Sequence, residues 1–181
     1  MRYRRVQITG ATYFFTLVTF EREPLFAAEG AVELWRNALA KIQRQRPFVI
    51  EAEVILPDHI HMLWAMPDGD ADYATRIRLA KTAFTKSFAQ NQSVAATSKS
   101  RSAKGEREIW QRRYWEHTIR DERDFQARLD YIHYNPVRHE LAATPADWPY
   151  SSFLAWVGKG VYDPGWGSDA VPDIPDWASA E

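Results

Sequence analysis

The chain has 181 residues, 45 % of them hydrophobic, with 23 Lys/Arg against 24 Asp/Glu and no cysteine. That length suits one domain with a sizeable core, and the lack of cysteine excludes disulfides and thiolate ligands, leaving His, carboxylate, amide or tyrosinate as metal donors. No uncharged apolar run reaches the roughly 18 residues of a membrane span, and the basic start MRYRRVQITG is not followed directly by an apolar signal core, so a cytoplasmic address is expected.

Residues 13–19, YFFTLVT, are aromatic and β-branched and predict a first strand. Residues 30–46 have helical spacing, with Val32, Trp35, Leu39 and Ile42 on one face and Pro47 beyond the end. Residues 48–56 alternate, which places Phe48, Ile50, Ala52, Val54 and Leu56 on one side of a second strand. Pro57-Asp58 is a turn signal, and residues 59–66 complete a hairpin that PDGD closes. Residues 73–90 predict a second helix with Ile77, Ala80, Phe84 and Phe88 inward. The polar, basic stretch 91–107 reads as a loop, 109–119 as a fourth, irregular strand, and 121–134 as a third helix closed by Pro136.

The order βαββαβα predicts an α+β fold: a ferredoxin-like or RRM-like antiparallel sheet with its helices on one face, the other face being open for a ligand. The domain would span residues 1–142. A tail, 143–181, follows, rich in Trp, Pro and Gly; its segment 148–156 is expected to pack on the body. Residues 1–142 carry 22 of the 23 Lys/Arg and 18 of the 24 Asp/Glu, so a basic body precedes an acidic tail. That asymmetry fits either a polyanionic partner or an unevenly solvated surface. A tail lying over the ligand face would compete with such a partner.

The stretch PDHIHML holds His59 and His61. In a strand, residues i and i+2 share a face, so His59, His61, Leu63 and Ala65 oppose Ile60, Met62, Trp64 and Met66. Two imidazoles with Cα atoms about 6.5–7 Å apart can converge on one ion, or simply be half-buried histidines. The third helix, DERDFQARLDYIHYNPVRHELA, buries Phe125, Leu129 and Ile132. Tyr131 lies about 130° from that stripe and Asn135 about 90°, one turn apart on the helix flank. They could face a cleft, or merely flank a helix contact. Together these residues fit phosphodiester cleavage: a tyrosine nucleophile, and His59, His61 and Asn135 as nitrogen and oxygen donors to a hard divalent cation. No general base stands out. His133 projects away from Tyr131, and Glu116 and His117 are the remaining candidates.

PDHIHMLW on a central strand and YIHYNPVR on a later helix resemble the single-tyrosine HUH transposases of bacteria, and more closely the REP-associated tyrosine transposases. ATYFFTLVTFERE, IWQRRYWEHTIRDERDF and DWPYSSF are also similar to that group, so the likeness covers most of the chain. The resemblance implies an HUH nuclease fold and a metal-dependent endonuclease and strand transferase acting on single-stranded DNA with a hairpin. Tyr131 would form a 5′-phosphotyrosine link and release a 3′-hydroxyl, with Mg²⁺ or Mn²⁺ held by His59, His61 and Asn135. Many insertion-sequence relatives have glutamine where Asn135 stands; the REP-associated group often has asparagine. A monomer or a homodimer is compatible with the resemblance. The alternatives are another HUH enzyme, of replication-initiator or relaxase type, and a non-catalytic nucleic-acid-binding protein of the same fold.

For DNA contact the candidates are Arg4 and Arg5, then Arg76, Arg78, Lys81 and Lys86 on the second helix, and Trp110, Arg112, Arg113, Tyr114 and Trp115. Cations would neutralise phosphates and aromatic rings would stack on bases. Lys99, Arg101, Lys104 and Arg107 add charge in the loop.

Overall fold

The computed structural model describes residues 8–91 and 109–178. Arg4, Arg5 and the loop cations lie outside them. The main elements are β1 (Thr12–Val18), α1 (Ala31–Gln45), β2 (Val49–Ile55), β3 (His59–Ala65), α2 (Tyr73–Asn91), β4 (Trp115–Thr118), α3 (Glu122–Arg138) and, in the tail, α4 (Phe153–Gly158). The four strands form one antiparallel sheet in the order β2-β3-β1-β4. This is the expected α+β fold, with the histidine strand in its interior.

Alternation along β1 and β3 divides the buried residues into two clusters. Tyr13, Phe15, Leu17, Ile60, Met62 and Trp64 face α1 and α2, where Trp35, Phe84 and Trp110 fill the space between helices and sheet. Phe14 and Leu63 face the other way. That second face is not open. Ala127, Leu129, Tyr131 and Ile132 of α3 pack on it, joined by Phe153, Trp156 and Tyr162 of the tail. The third helix leaves the sheet from its β4 edge and buries apolar surface on the side that α1 and α2 leave uncovered.

Three local expectations change for physical reasons. In β2 the register shifts between Ile50 and Ala52, so Phe48 and Ile50 face α1 and α2 whereas Ala52, Val54 and Leu56 face α3. An extra residue in one strand turns every later side chain over. The fourth strand shortens to Trp115–Thr118, because Ile109 and Trp110 insert into the helix-side core instead of pairing continuously. The third helix runs through Pro136 to Arg138. A helix-interior proline costs about 3 kcal/mol. Here Pro136 is buried, and its packing offsets the lost hydrogen bond.

The tail clasps the outer edge of β2. Ile55 N–H donates to the Tyr150 carbonyl, Ser152 N–H to the Glu53 carbonyl, and the indole N–H groups of Trp148 and Trp156 to the Ile55 and Glu51 carbonyls. An edge that would otherwise expose unpaired backbone is thereby covered.

Candidate active site

On β3, His59 and His61 project side by side toward α3, their ring centroids 4.8 Å apart. The ring of Tyr131 meets His61 edge-on at 5.1 Å, and that of His139 meets His59 at 5.1 Å. Tyr131, Asn135 and His139 are spaced by four residues, so they form one row along the helix. Tyr131 lies over one imidazole and His139 over the other; Asn135 is between them in that row. Asn135 is 0 % exposed, and neither amide atom has a hydrogen-bond partner among the described residues. A buried amide with both ends unsatisfied is costly unless a ligand completes it.

Each imidazole is held through Nδ1. His59 Nδ1 lies 2.5 Å from Asp58 Oδ1, and His61 Nδ1 lies 3.0 Å from the Thr16 hydroxyl across the β1–β3 ladder. Burial raises the Asp58 pKa, but the hydrogen bond and charge of His59, together with Arg22, outweigh it and hold the carboxyl down to about 2. Burial, reinforced by the neighbouring His59, His139, Arg22 and Arg128, keeps His61 well below the usual imidazole range. A neutral imidazole is the form that ligates metal. No cluster of three His, Asp or Glu side chains with metal-binding geometry occurs among the described residues. A divalent cation here could use His59, His61 and the Asn135 amide oxygen, and the buried Asn135, with both amide atoms unsatisfied, fits that role.

Tyr131 is 5 % exposed, with Phe14 on one side and the Arg138 guanidinium 5.5 Å from its ring centre. None of the base candidates faces it. His133 contacts Ser152 and the rings of Phe153 and Tyr162 in the tail, and burial lowers its pKa to about 3. His117 is turned to Asp124 at 2.7 Å. Glu116 pairs opposite Phe15, so it shares the face of α1 and α2.

The expected DNA contacts divide. Arg78, Lys86, Arg112 and Arg113 are exposed. Lys81 donates to the Gln111 carbonyl and lies over the Trp110 ring. Arg76 is not a surface cation. It is 2 % exposed, and its guanidinium binds both Asp70 oxygens and the carbonyls of Arg46, Pro47 and Asp72, tying α2 to the loops around it. Trp110 is a core ring packed among Phe26, Trp35 and Phe84, not a base platform. Tyr114 packs half-buried against Phe15, and Trp115 half-buried between Phe14 and Arg128.

His139, Arg138 and Thr16 escaped the sequence reading. The spacing of four from Tyr131 to Asn135 continues to His139, which was the available signal, but the expected stop at Pro136 hid it.

The family described as Transposase IS200 like matches residues 7–135. A REP-associated tyrosine transposase of Escherichia coli K12 is 37 % identical over 99 % of this chain and 96 % of its own length. The chain belongs to this family of tyrosine transposases. A Haemophilus influenzae protein named for the same group is 41 % identical over 95 % of both chains. The solved structure of a REP-associated tyrosine transposase bound to a REP hairpin is 36 % identical, covers 100 % of this chain and 97 % of that one, and superposes with a TM-score of 0.77. As an IS200-like transposase, the chain has its family's fold over the whole described length. Among the described residues no helix is long and apolar enough to cross a membrane.

Proposed function

We propose that this transposase cleaves and rejoins single-stranded DNA at hairpin-bearing sites through a covalent link to Tyr131. The observation that carries the reading is the row Tyr131, Asn135 and His139 laid over His61 and His59, with the Asn135 amide buried and unsatisfied. The solved relative bound to a REP hairpin supports hairpin DNA as the substrate class.

The Tyr131 oxygen attacks a backbone phosphorus, the bond to the 3′ oxygen breaks, and the 5′ phosphate stays on the tyrosine. The departing strand leaves as a 3′-hydroxyl. Attack by another 3′-hydroxyl reverses the step and joins a new strand. Arg138 sets positive charge beside the ring, which favours phenolate character at the oxygen. Asp58 and Thr16 orient His59 and His61, and Asn135 adds an oxygen donor. Mg²⁺ or Mn²⁺ bound by these three would supply charge to polarise the phosphate. Of the candidate DNA contacts, Arg78, Lys86 and Arg113 are exposed cations that would meet the DNA backbone.

The test uses end-labelled hairpin strands, Mn²⁺ and denaturing gels. The reading expects an SDS-resistant adduct that EDTA and Tyr131→Phe each abolish. An adduct persisting in Tyr131→Phe moves the nucleophile elsewhere. Tight hairpin binding without adduct on any strand supports a non-catalytic binding protein.

A further inference from the structure

The turn after β1 holds two adjacent non-glycine residues in the left-handed region, Glu21 at φ 52° and Arg22 at φ 56°. Such backbone persists only where its surroundings over-determine it, and it concentrates at functional sites. Here the surroundings are explicit. The Thr19 hydroxyl lies 2.8 Å from both the Glu23 and Asp58 carbonyls, Thr19 N–H donates to the Asp58 carbonyl, and Phe20 N–H to the Ile109 carbonyl.

The outcome of this strained turn is one contact: Arg22 Nη1 donates to Asp58 Oδ2 at 2.9 Å. The other oxygen of the same carboxylate lies 2.5 Å from His59 Nδ1. Asp58 therefore stands between a guanidinium that is 56 % exposed and a buried imidazole. A carboxylate on one ring nitrogen fixes which nitrogen carries the proton, and with it the direction in which the other lone pair points.

We propose that Arg22 and Asp58 form a positioning pair that keeps the His59 proton on Nδ1 and presents Nε2 as a donor before any metal arrives. Arg22 holds the second oxygen of the carboxylate whose first oxygen meets the ring, and the Glu21–Arg22 turn holds Arg22. This inference rests on His59 being a ligand, and it adds to that reading a built support whose purpose is the orientation of one ring.

Two measurements test it on the full-length protein. Long-range ¹H–¹⁵N correlation at pH 8 without metal reports the His59 tautomer, and Mn²⁺ titration followed by electron paramagnetic resonance reports affinity. The wild type is expected to show a protonated Nδ1 and a bare Nε2. Asp58→Ala should mix the tautomers and weaken Mn²⁺ binding by about ten- to a hundredfold. Asp58→Asn, whose amide oxygen is taken by Arg22 Nη1 and whose NH2 then faces Nδ1, should move the proton to Nε2 and weaken Mn²⁺ binding at least as much as Asp58→Ala. Arg22→Gln, which breaks a largely exposed pair, should weaken binding by only about threefold. Unfolding curves confirm that each variant is folded.

Unchanged tautomer and affinity in Asp58→Ala would overturn the pair, as would a wild-type proton on Nε2. Failure of the ligand reading shows separately: Mn²⁺ binding that survives His59→Ala removes His59 from the site, whatever its tautomer.

Discussion

The two faces of one sheet are built from alternate residues of the same strands, yet they are unlike. Toward α1 and α2, β1 and β3 present Tyr13, Phe15, Leu17, Ile60, Met62 and Trp64, an apolar surface filled by aromatic rings. Toward α3 they present Phe14, Thr16, His59, His61 and Leu63, and the helix answers with Tyr131 and Asn135. Both faces are closed to solvent. One closes by packing, and loses only transfer and dispersion energy when altered. The other encloses groups that need partners, a cost that fits the chemistry proposed for them. The contrast teaches that burial by itself does not distinguish core from site; the chemistry of what is buried does.

Substitutions that strike one face at a time should separate stability from activity. Tyr131→Phe should reduce adduct to background, while the urea midpoint stays near wild type because the ring remains. A collapse of the fold in this variant would erase the distinction between the faces. Trp64→Ala, on the packing side, should cost about 3–5 kcal/mol in urea unfolding. Whatever protein remains folded should still form adduct; a stable but inactive Trp64→Ala would place function on the wrong face. Arg76→Met should cost about 3 kcal/mol, since it removes a buried guanidinium that serves the Arg46, Pro47 and Asp72 carbonyls as well as Asp70. The salt dependence of hairpin binding should not change, as expected of a structural cation.

His133, buried and uncharged against the tail, gives the α3 face a pH signature. Its folded pKa lies below the ordinary 6.5, so the unfolded chain binds the extra proton first. Stability should therefore be full above about pH 6.5 and fall by about 1.4 kcal/mol per unit toward pH 3. Denaturation curves across that range should be flatter in His133→Gln, and an unchanged slope would assign the acid sensitivity elsewhere. The smallest effect belongs to the exposed cations. Arg113→Ala should lower the slope of log affinity against log salt by about one and leave adduct chemistry intact.

The sequence was legible where backbone geometry is local. Period-two alternation put His59 and His61 on one side of β3 and Ile60, Met62 and Trp64 on the other, as the structure has them. Period-3.6 spacing located α1 and α2. It failed where a local rule met a tertiary one. The β2 bulge is invisible in residues 48–56, because an extra residue changes the facing without changing the composition. Pro136 marks a helix end by local sterics, but α3 continues because both its flanks are covered. Arg76 and Trp110 have the composition of a DNA surface, and only their burial shows that one braces loops and the other fills the core.

By itself, the sequence determined which residues share a face of the histidine strand β3, which residue types can attack a phosphate or hold a cation, and that Tyr131 and Asn135 are one helical turn apart. Those are consequences of strand and helix repeats, which depend on neighbours a few residues away. Only the tertiary structure decided that α3 lies on the histidine face, that His139 completes the row over His59, and that a strained turn brings Arg22 to Asp58. These depend on long-range burial: the sheet face left uncovered by α1 and α2 has to be closed. The amphipathic helix and the aromatic tail that close it fix where the tyrosine stands.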